Sequence, residues 1–318
     1  MNSPNYLVLL HFSLILVTAA PSRNVSSVTP NRVKRLSNAN YDEQSFRLAP
    51  MMVSIRTRSV HRYFGDNHFC SGVIVSPTFV LTSAHCLIKW VYEWIFPKKN
   101  QVLTVVAATV NRLKYMSKRT FITPVDSMIL PDNFSLLNKQ DVAILKMATE
   151  FPRNHKFISV AKLPIEPPKV GLKCFVPGWG RMFRGGPLAT HLLYINVEII
   201  DRKICAKRLN VRATDLLCAE DTDPLSSQQP CGGDWGSPLI HENTVYGLVS
   251  FLVGCGIGKP SVYTDIYASL EWIEGKIVSN RGSIPYVPVK LEYFLTKPMQ
   301  TGLILLFVVI YETLEVNL

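Results

Sequence analysis

Cys231-Gly232-Gly233-Asp234-Trp235-Gly236-Ser237-Pro238-Leu239 reads as a Gly-Asp-x-Gly turn at the start of a strand. Outward from it, residues 50–265 form short β-branched or aromatic runs separated by turn residues. Val73-Ile74-Val75, Phe79–Thr82, Val102–Val110, Asp141–Leu145, Tyr194–Ile200 and Val245–Phe251 are such runs. Gly178-Trp179-Gly180 and Arg184-Gly185-Gly186-Pro187 break them up. Many short strands at this spacing predict an antiparallel barrel or sandwich. Only Asp201–Arg208 and Ser269–Ser279 read as helical.

The ends differ in composition. Residues 1–20 carry no charged side chain and hold the apolar run Leu7–Val17 before Thr18-Ala19-Ala20. A run this short, ending in small residues, reads as a signal peptide, so the protein is expected to be secreted. Residues 21–35, ending in Lys34-Arg35, read as a cleavable pro-segment, and 36–280 as the folded domain. Residues 281–318 form an extension with the apolar run Gly302–Tyr311. Ten residues are too few to cross a bilayer, which needs about 20. That extension is expected to pack on the domain or to be loosely ordered, with no membrane role. Export favours disulfides, and seven cysteines leave one over. The sequons at Asn24 and Asn133 are candidate glycosylation sites.

Three segments together carry a resemblance. They are Leu81-Thr82-Ser83-Ala84-His85-Cys86, Asp141-Val142-Ala143-Ile144-Leu145 and the Gly-Asp-x-Gly turn. Their order, with Pro177-Gly178-Trp179-Gly180, Pro260–Thr264 and Trp272-Ile273, resembles the trypsin and chymotrypsin family of serine proteases. The resemblance implies an all-β fold of two six-stranded antiparallel Greek-key barrels with a C-terminal helix. It also implies three disulfides, Cys70–Cys86, Cys205–Cys218 and Cys231–Cys255. Cys174 is left unpaired because its usual partner position is His241.

The resemblance places His85 and Asp141 at two triad positions and Trp235 at the nucleophile position. Indole offers an N–H and no accessible lone pair to attack carbon. Ser237 lies six residues after Cys231, two past the nucleophile position, and reads as a strand-start residue. The backbone N–H groups of Gly233 and Trp235 are the implied oxyanion hole. Gln229 takes the specificity-pocket base, with Ser250, Leu252 and Ser261 around it; Gln229 has no charge to pair with Lys or Arg, and Leu252 should fill the slot. Family activation implies cleavage after Arg35, freeing Leu36 to pair with Asp234, although Leu36-Ser37-Asn38-Ala39 lacks the family's two glycines.

From these residues the chain is expected not to be an enzyme, with His85 and Asp141 kept as framework. It is expected to act as a cofactor or decoy that binds an extracellular protease, inhibitor or protease substrate. The alternative is a weakly active serine endopeptidase. A further one is binding of sulfated glycans by Arg202, Lys203, Lys207, Arg208 and Arg212, in a chain of net charge +11. No cofactor, metal or nucleic acid is expected.

Overall fold

A computed structural model describes residues 40–88, 103–132, 134, 140–210, 216–223, 226, 228–250 and 255–280. The expectations on the leader, the pro-segment, Arg35, Leu36, Asn24, Asn133, Arg212, Leu252 and the C-terminal extension lie outside these residues.

Twelve strands close into two barrels. The first runs in the order β1(Met52–Thr57), β2(His68–Ile74), β3(Phe79–Thr82), β6(Ala143–Met147), β5(Phe121–Ile129), β4(Leu103–Ala107). The second runs β10(Pro238–His241), β11(Thr244–Val249), β12(Ser261–Asp265), β9(Leu216–Asp221), β8(Leu193–Ile199), β7(Lys173–Gly178). Neighbours within each barrel are antiparallel, as the resemblance implied. Closure leaves no free edge, so inward side chains fill each barrel. Val53, Ile55, Val80, Val105 and Leu145 pack in the first, and Val176, Ile195, Val197, Leu239 and Tyr263 in the second.

A third apolar cluster joins the barrels. Val73, Phe79, Leu81 and Ile144 meet Ile240, Val245 and Leu248 there. The closing helix α3(Leu270–Asn280) adds Ile273 and Ile277, one turn apart on its inner face. Trp179, fully buried with Ala49, Met52, Val110 and Leu192, fills a further contact, and its Nε1 donates to Val110 O at 3.1 Å.

Helix α2(Arg202–Leu209) begins where the sequence placed it, because the Asp201 carboxylate accepts from the N–H groups of Lys203 and Ile204. Helix α1(Glu43–Leu48) was not predicted. It has six residues, too few to display a helical period, and its sequence signal is the Asp42 cap that accepts from Gln44 N. Asp141 was read as opening a strand; it lies two residues before β6, on the loop behind Gln140.

The three expected disulfides are present and Cys174 is a buried free thiol. His241, where a partner would sit, has its Nδ1 2.7 Å from Lys173 O. Burial pushes the Cys174 thiol up to about 12. Its thiolate fraction at pH 8 should be about 10⁻⁴. A thiol reagent is therefore expected to modify the folded domain at Cys174 at least about 100-fold more slowly than the unfolded chain; equal rates would refute the burial.

Candidate active site

The pairing of β3 with β6 sets Thr82 opposite Ala143. His85, on the short 3₁₀ segment Ala84–Leu87 just past Thr82, therefore meets Asp141, just before Ala143. His85 N donates to Asp141 Oδ1 at 2.9 Å, and His85 Nδ1 lies 2.7 Å from Asp141 Oδ2. Ser250, directly after β11, donates its hydroxyl to the same Oδ2 at 2.5 Å. Thr264 Oγ1 donates to Asp141 O at 2.8 Å. Burial would raise the Asp141 carboxyl, but the adjoining His85 and the donated hydrogen bonds outweigh it and hold it below the usual range. This contribution to stability is present above the unfolded pKa and lost as pH falls through the folded one.

Trp235 occupies the remaining corner. Its ring stands edge-on to His85, with centroids 5.7 Å apart and planes at 87°. At its far end, a Cβ placed on Gly232 would lie 3.8 Å from Trp235 Cη2. The half-buried indole packs against the cores of both barrels. It thus spans from the imidazole to the Gly-Asp-x-Gly turn. Ser237 is fully buried, so its hydroxyl cannot meet a substrate in place of residue 235.

The turn itself is tightly held. Gly233 has φ +94° and Gly236 φ +75°, and a Cβ on Gly236 would lie 2.2 Å from Thr82 Oγ1. Only glycine fits that approach. Gly233 O lies 3.1 Å from His68 Nε2, and His68 Nδ1 lies 2.8 Å from Ser54 Oγ. Arg56 Nε donates to Ser54 Oγ at 2.8 Å. With the Ser54 hydroxyl donating to Nδ1, His68 carries its proton on Nε2 and donates it to Gly233 O. The buried Gln229 does not present a bare pocket floor: its amide donates to Lys259 O and accepts from Ile257 N at 2.8 Å. Ser261 is buried at the start of β12.

Asp234 points inward. Its oxygens accept from Gly180 N at 2.7 Å and Cys231 N at 2.9 Å, and it has no ion pair among the described residues. Burial pushes its carboxyl up to about 7 despite those N–H groups. Beside the turn, burial and the charges of Arg112 and Arg56 press His68 down to about 3. The two act oppositely on stability. A carboxyl raised from 3.8 contributes stability that is present below 3.8 and lost as pH rises through about 7. A histidine lowered from 6.5 destabilises the fold as pH falls from 6.5 towards about 3. Between about pH 4 and 6.5 the slopes cancel. His68→Gln should unmask the Asp234 slope, on the order of 1.4 kcal/mol lost per pH unit as pH rises across that window. A stability profile of the variant parallel to the parent's would refute the pairing of effects.

A family model described as Trypsin matches residues 38–273. The chain belongs to the trypsin family. Chymotrypsin-C of Bos taurus is 32% identical over 235 residues, covering 68% of this chain and 82% of the relative. Trypsin of Pleuronectes platessa is 30% identical over 212 residues, covering 65% and 80%. Among solved structures, human heparin binding protein aligns with a TM-score of 0.62 at 25% identity, covering 76% of this chain and 96% of that one.

These comparisons correct the expectation that the chain is not an enzyme. Its trypsin-family relatives are named as proteases, and the structure joins His85, Asp141 and Ser250 by hydrogen bonds. Acyl transfer here has no hydroxyl at residue 235 to begin from.

Proposed function

We propose that this trypsin-family chain acts outside the cell as a cofactor or decoy in a proteolytic system. Its protease-shaped surface engages a protease, an inhibitor or a protease substrate. The observation that carries this reading is the Trp235 indole, set edge-on to His85 and reaching Gly232 of the Gly-Asp-x-Gly turn. An apolar ring rigidly placed in a cleft is also a ready contact for a bound polypeptide. The apolar leader and three disulfides support an extracellular setting. No described helix is long and apolar enough to cross a membrane.

The test is affinity capture from the native fluid with the folded chain as bait. A protease, inhibitor or protease substrate should be retained in stoichiometric amount. Retention of none of the three would end this reading.

A second reading, serine-type endopeptidase activity, is favoured by the relatives' names and by the intact contacts of His85. Hydrolysis of a peptide panel, suppressed by a serine-directed inhibitor, would select it. Sulfated-glycan binding is a third, favoured by the name of the heparin binding protein. On α2, however, Arg202 pairs with Asp265 at 2.8 Å and Arg208 with Glu220 at 2.5 Å, which leaves less free charge there than the sequence suggested.

A further inference from the structure

A groove of about 450 Å³ opens on the first barrel. Its walls come from three segments: Pro77 between β2 and β3, Phe151 to Arg153 beyond β6, and residues 158–160 on the connection to the second barrel. Apart from Arg153 and Ser159 the lining is apolar, with Phe151 buried and Val160 46% exposed. Phe151 N donates to Pro77 O at 2.7 Å, Ser159 N to Pro50 O at 2.9 Å and Ala161 N to Ile74 O at 2.8 Å. The walls are therefore fixed before anything enters, which lowers the ordering cost of an occupant. The groove stands apart from the cleft. Pro77 precedes Phe79 at one end of β3, while His85 follows Thr82 at the other. In β6, paired with it, Phe151 lies beyond Met147 and Asp141 before Ala143. An occupant of the groove leaves the Trp235 turn uncovered.

The chain carries a candidate occupant of its own. Helix α3 ends at Asn280, and its Ile277 belongs to the apolar cluster that joins the barrels. The same cluster holds Ala161, the residue after Val160. Beyond α3 come residues 281–301, a stretch that can reach up to about 70 Å at about 3.3 Å per residue. The apolar run 302–311 follows. It is too short to cross a bilayer, and leaving it in water forgoes about 25 cal/mol for each Å² it could bury. Charge agrees with this pairing. Arg153 lines the groove and Lys156 lies between its second and third walls; both are exposed, and neither is in an ion pair among the described residues. From 298 to 318 the chain carries Glu312 and Glu315 and no cation. An apolar run followed by carboxylates thus matches an apolar groove edged by cations. Tethering decides between occupants, because a linked segment competes at an effective concentration on the order of mM, which a second copy in solution does not reach.

We propose that residues 302–311 of this chain dock in the groove, with Glu312 and Glu315 facing Arg153 and Lys156. The chain leaves the second barrel through α3, so the docked segment straps it back onto the first. Its own apolar run then covers the groove, and the cleft at the far end of β3 stays open to an outside partner. The inference does not rest on the cofactor or decoy reading and holds whatever the cleft engages.

The test uses the full folded chain with the photo-crosslinking residue benzoylphenylalanine in place of Val160. Irradiation should join it to residues 302–318 of the same chain, as mapped by peptide mass spectrometry on the monomer fraction. The same probe in place of Ile204 on α2, which is 55% exposed, should give at least about 10-fold less of that product. Leu306→Asp with Ile310→Asp should cut the crosslink from position 160 at least about 10-fold. Arg153→Glu with Lys156→Glu should cut it about 3-fold, and adding Glu312→Lys with Glu315→Lys should restore it. A crosslink to a second chain in place of the intrachain product would assign the groove to a dimer. Loss of the product on adding neutral phosphatidylcholine vesicles would assign the apolar run to lipid. Either result, or equal yields from positions 160 and 204, would overturn the strap. Partner capture is scored separately: its failure ends the proposed function and leaves the crosslink result standing.

Discussion

Trp235→Ser is expected to raise labelling by a fluorophosphonate probe about 10³-fold or more over the parent chain. The reason is local. His85 Nδ1 already contacts Asp141 Oδ2 at 2.7 Å, and Ser250 steadies that carboxylate from the other side. A serine hydroxyl at residue 235 would then have a positioned base, and loss of this nucleophile alone costs about 10⁶ in a related triad enzyme. The predicted gain is set well below that figure because Asp234 has no cation among the described residues to brace the turn. Adding His85→Ala to the variant should erase the gain. A folded Trp235→Ser chain that labels no faster than the parent would mean that the turn does not present residue 235 to the imidazole.

Trp179→Ala is expected to cost about 3–5 kcal/mol, the largest effect foreseen for a single core residue here. Trp179 has no solvent exposure and packs on Ala49, Met52, Val110 and Leu192. Truncation removes those contacts and leaves Val110 O without its indole donor. For a domain of this size the melting temperature should fall by roughly 6–20 °C. The half-buried Trp272 provides the comparison, and its truncation should cost less than half as much. Equal losses at the two positions would show that burial of Trp179 does not set its energetic weight.

The parts of the fold that were legible in the sequence are those with a short-range signature. Phe79–Thr82 was read with the ends the strand has, since four buried apolar or β-branched residues lie between a Pro-Thr turn and the His-Cys segment. The three disulfides followed from family spacing, and the unpaired Cys174 followed from His241. Helix α1 was invisible because six residues make under two turns and its strongest cue is one capping aspartate. Strand β5 carries Pro124 and Asp126 with half its residues facing out, so its apolar signal is dilute.

In the site, His85, Asp141 and Ser250 were named from the sequence, and the structure brings them together. Gln229 was read only as an uncharged pocket base. That its amide is consumed by Lys259 and Ile257 depends on a contact some thirty residues distant, which no local pattern announces. The Ser54–His68–Gly233 connection was missed for the same reason, since it crosses 14 and then 165 residues of chain. The Gly65–Arg112 tie between the β1–β2 and β4–β5 connections spans 47 residues and has no sequence signal beyond the glycine itself.

Trp235 packs against the cores of both barrels at once. A small residue there would remove the wedge between two independently closed sheets as well as change the chemistry of the turn. Substitution by serine is therefore costlier in folding stability than a change at an exposed turn residue. Any substitution by a small residue at 235 must also refill the space, and the neighbours that pack on the indole are where compensating substitutions are to be sought.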